Sequence, residues 1–258
     1  MGSVDTVLLL AAGLAAGTVN AVAGGGSLIT FPTLVAIGLP PVSANVTNSI
    51  AVSPGYVASV FGSRSDLADL AAARGRRALL GLIPTAIAGT AAGCALLLAT
   101  PARAFELVVP FLVLGAAVVL AFQDRLRRVV GQPHEMSPRR RSTMLHAMVA
   151  LGSLYGGYFG AALGVMLVAA LGLVLEESLV RISALKNAIS AVVGLGTVLA
   201  FAVFGPVDWR AVAILAPATL VGGYLGARLA RRLPATALRA AIVVIGTVVA
   251  VVLFIRAA

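Results

Sequence analysis

Ten apolar runs, parted by glycines, prolines and arginines, take up most of this chain: roughly 6–23, 28–38, 43–62, 78–99, 104–122, 143–162, 165–175, 183–204, 209–227 and 235–256. All but two are near 20 residues, the length a helix needs to cross a hydrocarbon core of about 30 Å. They do not alternate in polarity, which argues against the roughly ten-residue strands of a membrane barrel. Apolar residues make up 60% of the sequence and charged ones 11%, and a water-soluble domain of this size needs more polar cover. The chain reads as an all-α integral membrane protein, a polytopic helical bundle of about eight spanning helices. The runs 28–38 and 165–175 are too short to span and read as two short re-entrant or broken segments.

A formal net charge of +10 invites a nucleic-acid reading, and the placement of the arginines removes it. Lys186 is the single lysine, so 18 of the 19 basic residues are arginines, and 13 of those fall in the loops 64–77, 123–142 and 228–233. Basic loops beside apolar spans mark the cytoplasmic side of a membrane and suit anionic lipid headgroups. The lipid bilayer is thus the expected partner and nucleic acid is not; homo-oligomers are left open. The start, Met1-Gly-Ser-Val-Asp5, lacks the basic region of a cleaved signal peptide, so the first run is read as a retained helix. Cys94 is the single cysteine, which removes internal disulfides.

The chain divides into a first membrane repeat at 1–122, a cytoplasmic linker at 123–142 and a second repeat at 143–258. Gly17 to Gly24 and Gly157 to Gly164 share a spacing, and a short apolar run follows each. Asn48-Ser-Ile-Ala matches Asn187-Ala-Ile-Ser; Pro84, Gly89 and Gly93 match Pro217, Gly222 and Gly226; Pro101 matches Pro234. Placing all three arginine loops inside puts 205–210 and both termini outside. The halves then cross in opposite senses, the inverted-repeat plan of many secondary transporters. The glycines at 152, 156, 160 and 164, and the pairs 89/93 and 222/226, read as close helix–helix packing faces.

The glycine run Gly24, Gly25 and Gly26 interrupts the first long apolar stretch. Each glycine weakens a helix by about 1 kcal/mol relative to alanine. The freed backbone groups are tolerated at membrane depth only in protein or beside a wet cavity. Ser27 or Thr30 is expected to cap the short helix that follows, with Pro32 in its first turn. Its N-terminal amides, with Asn20, Asn45 and Asn48, would then suit an anion. In the second half, Lys186 and Asn187 lie in an apolar run. A buried ammonium is a functional candidate by default, against the plainer reading that it snorkels to an interface. For any one asparagine, helix-to-helix hydrogen bonding is the plainer reading.

There is no Gly-x-x-x-x-Gly-Lys-Ser/Thr loop, no carboxylate in mid-span, and no metal or triad cluster. The chain is therefore not read as an enzyme, and no cofactor or metal is expected. The run Ala-Gly-Thr-Val-Asn-Ala-Val-Ala-Gly-Gly-Gly-Ser-Leu-Ile-Thr-Phe-Pro at 16–32, with Gly38-Leu-Pro-Pro and Ala44-Asn-Val-Thr-Asn, resembles the TauE/SafE family of sulfite exporters and membrane transporters. The resemblance covers nearly the whole chain. It implies a multi-pass inner-membrane permease for small anions, often sulfur-containing, such as sulfite, sulfonates or sulfoacetate. It maps the family motif onto Asn20, Gly24, Gly25, Gly26, Asn45 and Asn48. The second half departs from it, since Gly160-Ala-Ala-Leu-Gly164 is poorer in glycine and nothing there matches Pro32. The leading expectation is a secondary anion permease working by alternating access. The alternatives are an uncoupled anion channel or uniporter and a non-transporting membrane assembly protein.

Overall fold

The computed structural model describes residues 2–22, 25–122, 125, 137–229 and, in the last segment, 243, 244, 247, 248, 251, 254 and 255. Regular structure among them is helical: α1 Ser3–Val22, α2 Ser27–Ala36, α3 Pro41–Gly62, α4 Arg64–Arg74, α5 Arg76–Leu80, α6 Leu82–Ala99, α7 Ala102–Ala121, α8 Pro138–Tyr158, α9 Leu163–Gly172, α10 Leu179–Phe204 and α11 Trp209–Leu229. Four stretches are long and apolar enough to cross a membrane: Ser3–Asn20, Arg76–Ala99, Ala102–Val119 and Val180–Phe204. α2 and α9 have 10 residues each and are too short to span, as the sequence suggests. The run at 235–256 and most of the linker lie outside the described residues or are described only in part.

Two boundaries differ from the sequence reading. The segment 63–77, expected as a loop, holds α4 and the start of α5, joined at Gly75 (φ 86°). Leu67, Leu70 and Ala71 recur at helical spacing there, and Leu70 is fully buried while the arginines stay outside. α8 begins at Pro138, so Arg139–Arg141 belong to its first turn; the Ser137 hydroxyl caps it by accepting from the Arg140 N–H at 3.4 Å.

The contacts fix helix directions. α1 runs parallel to α11: Gly13 meets Leu215 and Ala218, and one turn later Gly17 meets Thr219 and Gly223. α6 runs parallel to α8, with Gly89 on Ala150 and Gly93 on Leu154. α3 and α10 run antiparallel: Ser53 donates to the Gly194 carbonyl at 3.1 Å, while Asn187, nearer the start of α10, reaches Ser63 at the end of α3.

The first two crossings are one geometry seen twice. A methyl on Gly17 would lie 2.2 Å from the Thr219 carbonyl oxygen, and one on Gly157 2.4 Å from that of Thr90. A methyl on Gly222 would lie 2.2 Å from the Leu14 oxygen, and one on Gly93 2.1 Å from that of Leu154. The offsets agree: 157 − 17 = 140 and 154 − 14 = 140, against 222 − 93 = 129 and 219 − 90 = 129. Gly55 likewise faces Thr219, and Gly196 faces Thr90.

Two ends of the bundle are chemically distinct. At one, Arg74 Nε pairs with Glu177 Oε1 at 2.8 Å, Arg181 pairs with Glu177 Oε2 at 3.1 Å, and Arg141 pairs with Glu176. This arginine-rich end gathers the close of α3, all of α4 and the starts of α6, α8 and α10. Partial burial raises the pKa of Glu177, but hydrogen bonds and charge from Arg74 and Arg181 outweigh it and hold the carboxyl below its ordinary value. At the other end, Ser43 donates to the Pro206 carbonyl at 2.7 Å and Thr47 accepts from the Asp208 N–H at 3.0 Å. Asp208 in turn caps α11, accepting from the Ala211 N–H at 2.9 Å.

The core is in two parts. An aliphatic cluster around Leu70, Leu82, Leu163, Leu167, Leu185 and Ile189 fills the arginine-rich half. A larger cluster around Phe31, Phe105, Phe159, Leu34 and Phe201 fills the other. Phe31 and Phe159 meet edge to face, with ring centroids 5.3 Å apart and planes at 82°.

Candidate functional site

Between the two clusters, both short helices begin. α1 stops at Val22 and α2 starts at Ser27, so the chain is broken where the glycines stand; Gly24 itself lies outside the described residues. No side chain caps α2, neither Ser27 nor Thr30; the preceding helix instead holds the turn that leads into it. Asn20 Oδ1 accepts from the N–H groups of Gly25 (3.1 Å) and Gly26 (2.8 Å). Gly26 lies so close beneath α1 that a methyl there would stand 2.3 Å from the Ala16 carbonyl oxygen. Ser27 and Thr30 serve other bonds: Ser27 engages the Tyr56 hydroxyl, and the Thr30 hydroxyl meets Asn48 Oδ1 on α3. Pro32 is sixth in α2, beyond the first turn.

The second break runs from Phe159 to Ala162, between α8 and α9. Gly160 (φ 73°) and Ala162 (φ 55°) both adopt left-handed conformations. For Ala162 that costs about 1–2 kcal/mol, which its surroundings must hold in place. Those surroundings are visible. The Phe159 and Gly160 N–H groups both donate to the Tyr155 carbonyl, and the Tyr155 hydroxyl donates to the Ala161 carbonyl at 2.7 Å. Asn45 Nδ2, from α3, donates to the Tyr158 carbonyl at 2.9 Å. Asn45 is 1% exposed and its Oδ1 has no hydrogen-bond partner. The glycine-poor second motif therefore breaks as fully as the first, with an alanine taking the strained position.

The two breaks and the antiparallel pair α3/α10 enclose one small cavity of about 10 Å³. Ser27 reaches it from α2, and Asn48, Ser49 and Tyr56 from α3. Gly156, Phe159, Gly160 and Leu163 come from the second break, and Val193, Gly194 and Thr197 from α10. The space holds about one water. Hydroxyl, amide and backbone groups face it, and no charged side chain lines it. Leu163 and Val193 also belong to the aliphatic cluster and Phe159 to the aromatic one, so the cavity lies between the two clusters.

The expected residues thus divide. Ser27 and Asn48 line the cavity; Asn20, Gly25 and Gly26 stand directly behind Ser27; Asn45 holds the second break. Lys186 and Asn187 are not at the cavity. Asn187 Nδ2 donates to Ser63 Oγ at 3.1 Å and to the Ser59 carbonyl at 3.4 Å, toward the arginine-rich end. Lys186 precedes Val193 by seven residues, about 10 Å along a helix axis. Ser49, Tyr56, Gly194 and Thr197 were not singled out for this site in the sequence. Gly156 and Gly160 were read as packing, and their fourfold spacing with Gly152 and Gly164 was the signal available. Among the described residues no three of His, Cys, Asp and Glu are grouped to hold a metal ion.

Comparison with known proteins agrees on the class. A family model described as "Sulfite exporter TauE/SafE" matches residues 9–253. A "Probable membrane transporter protein YfcA" of Escherichia coli K12 is 28% identical over 227 residues, covering 84% of this chain and 76% of that protein. A "Probable membrane transporter protein" of Haemophilus influenzae is 25% identical over 240 residues, 92% of this chain and 89% of its own. "Probable membrane transporter protein ORF9" of a Sinorhizobium species is 24% identical over 246 residues, 94% and 90% respectively. No solved structure matches.

Proposed function

Because this chain belongs to the sulfite exporter TauE/SafE family of multi-pass membrane transporters, we propose that it is a secondary permease for a small anion, sulfur-containing as in sulfite or a sulfonate. The observation that carries this reading is the small polar cavity at the meeting of two helix breaks. A small anion shed of water needs donors. Asn48 Nδ2 and the Ser27 and Tyr56 hydroxyls supply them, the Ser49 and Thr197 hydroxyls being already given to the Asn45 and Gly194 carbonyls, with no carboxylate to repel the solute. Asn20, Gly25, Gly26 and Asn45 position the two breaks. Lys186 and Asn187, nearer the arginine-rich end, act on the approach of the anion and not as its ligands.

Alternating access is the mechanism that suits a small site set between two apolar clusters. A channel needs a continuous wet path, and here apolar clusters flank the cavity on either side. The inverted arrangement of the halves rests on helix direction: α3 and α10 are counterparts and run antiparallel. With the arginine-rich end in the cytoplasm, the start of α1 faces outward across the inner membrane.

Sulfite and sulfoacetate flux into proteoliposomes, at clamped voltage and pH, tests the function. Saturable counterflow lost in Asn48→Ala, with folding kept, is the expected result. Flux that is linear in concentration and free of counterflow would mean a channel. Absence of any anion flux would leave the assembly-protein alternative.

A further inference from the structure

A second and much larger cavity, of about 490 Å³, opens on the arginine-rich half between α10 and the helices α4, α5 and α6. This is well within the about 300–1,000 Å³ of small-molecule sites. Its walls are apolar, from Leu67 on α4, Leu79 on α5, Ile83 on α6 and Ile189 on α10, and its lining carries two charged residues, Arg64 and Arg76. Both guanidinium groups are exposed, and neither makes an ion pair among the described residues. Arg74, Arg141 and Arg181 of the same end are all paired with glutamates. Two of the stretches that frame the groove, Arg76–Ala99 and Val180–Phe204, are long and apolar enough to cross a membrane, which in a bilayer would set it against acyl chains. α4 is more polar than either and closes it toward the arginine-rich end, at headgroup depth.

We infer that this groove holds one anionic phospholipid of the arginine-side leaflet, an acyl chain against Leu67, Ile83 and Ile189 and the phosphate between Arg64 and Arg76. Charge complementarity selects the occupant. A zwitterionic lipid offers the phosphate together with a cation, whereas an anionic headgroup meets two unpaired guanidinium groups with no acid among the lining residues. A soluble anion would leave the apolar walls uncovered. The lipid would also tie α4, at the close of the first three helices, to α10 of the second half.

The test is thermal melting of the full chain in neutral detergent with added phosphatidylglycerol, phosphatidylcholine or inorganic phosphate. Phosphatidylglycerol at saturating levels should raise Tm by about 5 °C over phosphatidylcholine, and inorganic phosphate should not. Arg64→Gln/Arg76→Gln should abolish that difference, while Arg77→Gln, an unpaired arginine of the same end outside the groove, should keep it. Ala188→Phe fills the groove with both arginines in place and should abolish it too; this variant decides the matter if the double variant does not fold. Equal effects of the two lipids on wild type, equal loss in Arg77→Gln, or the full shift from inorganic phosphate would each overturn the inference. None of these readings depends on transport.

Discussion

Replacing Asn20 separates the architecture of the first break from its chemistry. In wild type, Asn20 Oδ1 accepts from two backbone N–H groups, those of Gly25 and Gly26, at 3.1 and 2.8 Å. Asn20→Ala removes the acceptor and leaves both donors without it. Each stranded donor costs about 1–3 kcal/mol, and the site is only part-buried, so the low end applies, about 1–1.5 kcal/mol each and about 2–3 kcal/mol in all. For a chain of this size that lowers Tm by roughly 5–10 °C. Asn20→Asp keeps an acceptor for both bonds and should melt near wild type. Its carboxylate would stand one residue behind Ser27, on the order of 7 Å from the cavity, counting about 3.8 Å per residue. At an effective dielectric of about 20, repulsion of a bound anion comes to about 2 kcal/mol, a loss of roughly 30-fold in apparent affinity. Melting in detergent and counterflow in proteoliposomes read the two effects. An Asn20→Ala protein that melts within about 2 °C of wild type refutes the hydrogen-bond argument, and an Asn20→Asp protein with wild-type affinity refutes the anion.

Other outcomes follow from the same geometry. Asn48→Ala should lose anion-dependent stabilisation while its Tm without substrate falls by no more than roughly 10 °C, because only Thr30 is left short of its partner. Gly17→Ala should destabilise by about 1–3 kcal/mol or more, since its methyl would lie 2.2 Å from the Thr219 carbonyl oxygen in a backbone-to-backbone crossing; Gly62→Ala, with open space around it, should be silent in the same melt. Glu177 has a pKa below its unfolded value, so its ion pairs stabilise the fold above the unfolded value, and that stability drains as pH falls through the lower, folded one. Arg74→Ala should flatten this part of the stability–pH curve, and an unchanged curve would clear the pair of that role. A cysteine at Ser3 should label with an impermeant thiol reagent from the periplasmic side, with little background from buried Cys94; labelling from the cytoplasmic side alone would overturn the orientation.

The helical, membrane-spanning class was legible because long apolar runs have few other uses, and the structure keeps nearly all the described runs. Both helix breaks were legible as well, one from its three glycines and the other from its place in the repeat. The acceptor that holds the turn before α2 was missed because Asn20 sits on the helix before the break, where local capping rules do not look. Asn187 resembles Asn48 in its sequence neighbours, and its distance from the cavity is set by tertiary contacts with Ser59 and Ser63 that no local pattern carries. Tyr56 and Thr197 join the cavity from helices far apart in sequence, and a hydroxyl on an apolar helix carries no mark of the direction it will face. Amphipathic α4 was hidden by its arginines, which read as loop until Leu67, Leu70 and Ala71 are counted by turns.

The exchange of partners, α1 with α11 and α8 with α6, bears on how the chain is made. The glycine face of α1 leaves the ribosome almost two hundred residues before α11 does. During synthesis that face has only lipid or a chaperone against it, while α6 and α8 zip together as they appear. Neither half can complete its own packing, so severing the linker should yield two fragments that assemble together or not at all, with the N-terminal helix the last piece to be seated.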